Sequence, residues 1–101
     1  MITSKQRAKL RSLASNIEPV FQVGKSAVSP ELVNSVDEAL EKRELIKGSV
    51  LDNCMEDIKS IAQKLSERTG SELVQIIGRK IVLFRENKND SKKAVISSII
   101  K

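Results

Sequence analysis

The feature that most constrains this chain is the switching of its apolar period between helix-like and strand-like spacing, with proline and glycine at the switches. Thr3 and Gln6 have the spacing of a capping box. Behind them Leu10, Leu13, Ala14 and Ile17 recur at helical intervals, which predicts a first helix over about 4–17. Pro19 ends that pattern, and Val20-Phe21-Gln22-Val23 reads as a strand closed by Gly24. Ser29-Pro30-Glu31 combines an N-cap serine, a proline at the first helical position and an acid in the first turn. Leu32, Val33, Val36, Ala39 and Leu40 then make one face of a second helix over 30–43, with Asp37, Glu38 and Glu41 off that face.

Leu45 to Leu51 alternates as a strand, with Ile46, Gly48 and Val50 on one face and Lys47 and Ser49 on the other. Asn53 and Glu56 are spaced as a second cap pair, predicting a third helix over 54–68 that ends at Gly70. Leu73–Ile77 and Lys80–Arg85 are two more strands, and a glycine-first loop, Gly78-Arg79, predicts a tight type II′ hairpin between them. Residues 86–93 read as a polar linker, and 94–101 as either a short helix or a tail. The order α-β-α-β-α-β-β implies parallel βαβ units and a final antiparallel pair. The expected fold is an α/β two-layer sandwich with a mixed four-stranded sheet.

With 101 residues and 40% hydrophobic composition, one domain with one modest core is expected. No run of about 18 apolar residues is present, and the polar, basic start (Met1-Ile2-Thr3-Ser4-Lys5) does not resemble a secretory leader, so a cytoplasmic protein is expected. Cys54 is the only cysteine and histidine is absent, which excludes an internal disulfide, Ser-His-Asp and Cys-His catalysis and the usual zinc sites. No cofactor motif is found. Gly24-Lys25-Ser26 is half of a phosphate-binding P-loop, but Pro19 stands where the motif needs its first glycine. An enzyme is not expected.

The net charge of +5 is unevenly spread: residues 1–25 carry +4, residues 26–58 carry −5 and residues 59–101 carry +6. Two basic ends around an acidic middle predict a polarised surface, and a basic face attracts nucleic-acid phosphates. Lys5, Arg7, Lys9 and Arg11 give the first helix a basic outer surface. Gly24-Lys25-Ser26-Ala27 joins a strand to a helix start, where free N–H groups and the helix dipole favour an anion. Gly78-Arg79-Lys80 is a basic hairpin tip, and Arg85 ends the next strand. The two aromatics, Phe21 and Phe84, are expected in the core rather than under stacked bases, so contacts should favour phosphates and shape.

Together these segments resemble the CRM domain family (chloroplast RNA splicing and ribosome maturation), in particular its single-domain bacterial YhbY-like members. The matching strings are Leu10–Ala14, Pro19–Lys25, Ala39-Leu40, Glu44–Lys47, Thr69-Gly70 and Val74–Arg85, over about residues 3 to 86. The resemblance implies a fold like the C-terminal domain of translation initiation factor three with an added N-terminal helix. It also implies RNA binding and, for the bacterial members, association with precursors of the large ribosomal subunit. The family has a GxxG loop after its first strand; here the second glycine is Ala27. The expected division is a CRM-like domain over 1–86 and a linker and tail over 87–101. The expected contact set is Lys5, Arg7, Lys9, Arg11, Gly24, Lys25, Ser26, Ala27, Lys47, Gly78, Arg79, Lys80 and Arg85, with ribosomal RNA first and ribosomal proteins second as expected partners and no membrane or small-molecule substrate. The alternative is a protein-interaction module docking through the acidic face of the second helix.

Overall fold

Seven elements follow one another in the computed structural model, which describes residues 2–87 and Ile96. They are α1 (Ser4–Ala14), β1 (Pro19–Val23), α2 (Pro30–Arg43), β2 (Leu45–Val50), α3 (Ile58–Thr69), β3 (Glu72–Ile77) and β4 (Lys80–Phe84). The capping box at α1 forms in both directions: Gln6 N donates to Thr3 Oγ1 at 3.1 Å and Thr3 N to Gln6 Oε1 at 2.9 Å. The α-helix stops at Ala14 rather than Ile17, because Asn16 and Ile17 donate to carbonyls only three residues back. Ser29 caps α2 by accepting from Leu32 N, with Pro30 at the first helical position.

The third helix starts later than the Asn53–Glu56 spacing predicts. Its N-cap is Asp57, and Leu51–Glu56 is a loop closed by Cys54 N donating to Leu51 O, which turns Cys54 into the core. Glu56 instead accepts from Ser60 Oγ at 3.1 Å and Lys64 Nζ at 2.8 Å. Gly70, at φ +64, ends α3 in the left-handed conformation that glycine adopts without a Cβ penalty.

The sheet order is β1-β2-β4-β3, with β1 and β2 parallel and the other two pairs antiparallel. Helices α2 and α3 cover one face, over a core of Phe21, Val23, Val36, Leu40, Ile46, Val50, Ile61, Leu65, Ile81 and Leu83. This is the α/β sandwich with a mixed four-stranded sheet. The added helix α1 covers the other face, with Leu10 and Ala14 against Leu45, Val74, Val82 and Phe84. Both phenylalanines lie in these cores, Phe21 under α2 and α3 and Phe84 under α1.

One residue, Glu44, separates α2 from β2, and it reverses the chain at φ +64. Its carboxylate is fully buried and accepts from Asn87 N at 2.8 Å and Ile96 N at 2.9 Å. A buried carboxylate is costly unless such donors meet it. Asn87, at the start of the expected linker, is buried and also donates from Nδ2 to Glu41 O. The rest of the expected linker and tail, apart from Ile96, lies outside the described residues.

Candidate nucleic-acid interface

The sheet register brings three loops to one end of the molecule. β1 and β2 finish side by side at Val23 and Val50, and β4 starts beside β2 at Lys80. The Gly24–Ala27 loop, the Leu51–Asp57 loop and the Gly78-Arg79 tip therefore share an edge, and α2 and α3 begin from the first two. Helix starts carry partial positive charge, which adds to Lys25 and Lys80 there.

These loops are tied together. Leu51 N donates to Val23 O, and Val50 N to Arg79 O. The Arg79 guanidinium donates from Nε to Val50 O at 2.9 Å and from Nη2 to Leu51 O at 2.6 Å, with Asp52 3.5 Å away. Arg79 thus braces the β2–α3 loop. Gly78, at φ +57, supplies the positive angle that a glycine-first hairpin needs.

In the first loop Ala27 N donates to Gly24 O at 3.0 Å, closing a turn with Lys25 and Ser26 exposed at its tip. Ala27 takes φ +52, so the left-handed conformation survives where the resembling family has a glycine. Gly24 itself has ordinary room: a Cβ there would lie 3.6 Å from Asn53 Oδ1 and 3.7 Å from Leu51 Cδ1.

The remaining expected residues fall into three groups. Lys5, Lys9 and Arg11 are exposed on α1. Lys47 and Lys80 stand on the α1 side of the sheet, where Lys80 Nζ donates to Ser49 Oγ at 2.9 Å. Arg7 and Arg85 are engaged inside the molecule. Arg7 Nη1 donates to the carbonyls of Leu73 and Val74, beside the register shift of β3 between Leu73 and Gln75. Arg85 lies against α2 and α3, at the far end of β4 from the loops. It donates to Asp37 Oδ1 and to Thr69 O at 2.7 Å, with Glu41 at 3.4 Å. The structure does not bring Arg85 to the loop edge. Asn53, expected only as a helix cap, and Leu51 border Gly24, and Met55 stands 93% exposed further along the same loop. Among the described residues, no group of three or more Cys, Asp or Glu is placed to hold a metal, and no helix is long and apolar enough to cross a membrane.

A four-stranded mixed sheet with two helices below, one above and a lysine-bearing loop edge defines a small α/β domain. The chain belongs to the CRS1/YhbY (CRM) domain family, whose model matches residues 2–85. It is 49% identical over 90 residues to the Bacillus subtilis protein named Probable RNA-binding protein YqeI, covering 89% of this chain and 94% of the relative. It is 38% identical over 86 residues to Probable RNA-binding protein MJ0652 of Methanocaldococcus jannaschii, covering 83% of this chain and 63% of that one. Its structure is similar to the solution structure of the Staphylococcus aureus protein SAV1595, with TM-score 0.77 and 49% identity over 92% of this chain and 97% of the other.

Proposed function

We propose that this chain is an RNA-binding protein, not an enzyme, that associates in the cytoplasm with ribosomal RNA of large-subunit precursors during ribosome assembly. The observation that carries the reading is the meeting of Lys25, Gly78-Arg79-Lys80 and two helix starts at one sheet end. The names of the relatives support RNA as the ligand. Lys5, Lys9 and Arg11 on α1 and Lys47 on the sheet extend the basic surface. Lys25, Lys47, Lys80 and the α1 cations position phosphates; Gly24, Ser26, Ala27 and Gly78 shape the backbone that approaches them. Arg79 acts through the loop it braces, and Arg7 and Arg85 through the fold. The CRM-like domain spans 1–86 with Asn87 fastened to it, and ribosomal proteins are secondary partners. Docking through the acidic face of α2 is the weaker reading, because Asp37 and Glu41 already meet Arg85.

Sedimentation of a cell lysate through a sucrose gradient tests this. The protein is expected to travel with a large-subunit precursor and to leave it steeply as salt rises, since each phosphate contact releases counterions. Migration only at the top of the gradient under gentle salt would sink the ribosomal part of the reading.

A further inference from the structure

Helix α1 covers only half of its face of the sheet. Its core partners Leu45, Val74, Val82 and Phe84 lie toward the end away from the loops. The register leaves a cross-strand row beyond them on the same face: Gln22 beside Ser49, Ser49 beside Lys80, and Lys80 beside Ile77. Behind it runs a second row of Pro19, Lys47, Val82 and Gln75. Neither row contains a carboxylate. Gln22 and Lys80 are exposed, Ser49 and Lys47 half-buried, and Ile77 is 55% exposed although it is a branched aliphatic residue in a strand.

We infer that this uncovered row is the seat of an unpaired RNA strand, laid across the sheet between α1 and the loop edge. The inference rests on the RNA reading and names the class of RNA. Three inter-strand spacings make the row about 14 Å long. Lys47 and Lys80 supply positive charge along it, and the absence of carboxylates from both rows makes it complementary to a phosphate chain. Lys80 donates to Ser49 Oγ, which orients that hydroxyl as an acceptor and leaves its proton to donate outward. The Gln22 amide both donates and accepts, as ribose hydroxyls and base edges require. Ile77 offers a flat aliphatic surface to a base face. A duplex keeps its base faces stacked and cannot lower one onto Ile77, whereas a single strand can lie flat and use every group.

The test is a fluorescence-anisotropy titration of the whole chain with a labelled single-stranded RNA oligonucleotide and with a duplex RNA of equal length. Wild type is expected to prefer the single strand. Ile77→Ser with Gln22→Ala should lower single-strand affinity about tenfold, as loss of one base contact does, with the salt slope and the duplex affinity unchanged. Gln22 is exposed and Ile77 is 55% exposed, so the urea midpoint should fall only slightly and the variant should stay folded at the titration conditions; Gln22→Ala alone gives a second variant with a smaller loss of affinity in the same direction. Equal single-strand affinity for wild type and variant, or a wild-type preference for duplex, overturns the inference while leaving RNA binding intact. Binding of neither RNA by wild type overturns both readings.

Discussion

The ring of Phe21 occupies the space that a Cβ on Gly48 would need. An ideal Cβ at Gly48 would lie 2.1 Å from Phe21 Cζ and 2.2 Å from Cε2, far inside van der Waals contact. The two residues are register partners on neighbouring parallel strands, so β1 delivers its aromatic directly over the bare backbone of β2. Gly48→Ala should destabilise the domain by about 1–3 kcal/mol through overpacking. Phe21→Leu should recover part of that loss in the double variant, a coupling that urea denaturation of all four proteins would read.

Ala27 holds a left-handed angle of φ +52, a conformation that disfavours a Cβ. Ala27→Gly should therefore stabilise the protein by roughly 0.5–1 kcal/mol, the relief of local strain less the entropy that glycine adds to the unfolded chain. Thermal denaturation checks this; a lower midpoint would mean that Ala27 gains more from packing against the core than it loses in strain.

Lys25 is exposed at the tip of the same turn. Lys25→Glu should weaken RNA binding and lower the slope of log affinity against log salt by about one or more, with an unchanged circular dichroism spectrum. Unaltered affinity would remove the loop from the interface.

Arg85 should behave in the opposite way. Arg85→Met removes the donor that meets Thr69 O and two α2 carboxylates. Those carboxylates are half exposed and contribute little, so most of the expected loss of about 1–2 kcal/mol comes from the carbonyl left without its charged donor. RNA affinity should change less than twofold.

Glu56 sets an acid-side expectation. Its hydrogen bond from Lys64 is the main cause that holds its pKa below the ordinary 4.5, with Ser60 and the Lys64 charge acting in the same direction against partial desolvation. A depressed carboxylate pKa contributes stability above the unfolded value that is lost as pH falls through the folded one. Glu56→Gln should thus be less stable than wild type near pH 6, and the gap should close below about 4.5. Denaturant midpoints across that range would show it; a gap independent of pH would assign the difference to packing.

The order of elements and both helix caps at α1 and α2 were readable from sequence because each depends on residues within four positions of one another. The alternation in β2 likewise told Lys47 and Ser49 from Ile46 and Val50. What escaped is set by distant partners. Asn53 and Glu56 have capping spacing, yet Cys54 is drawn into the core and the helix waits until Ile58. Arg7 looks like any other cation of α1, but its partners Leu73 and Val74 lie 66 and 67 residues on. The positive angle at Ala27 is likewise invisible in an alanine.

The sheet stands as a wall between two separate hydrophobic cores, the larger beneath α2 and α3 and the smaller beneath α1. Local opening costs least where the fewest apolar contacts hold an element, here beneath α1. Amide hydrogens of α1 should exchange through an opening that leaves α2 and α3 protected. The smaller core includes Ile96, whose N–H is held by the buried Glu44 carboxylate. The cations Lys5, Lys9 and Arg11 therefore sit on the element whose local opening is expected to cost least.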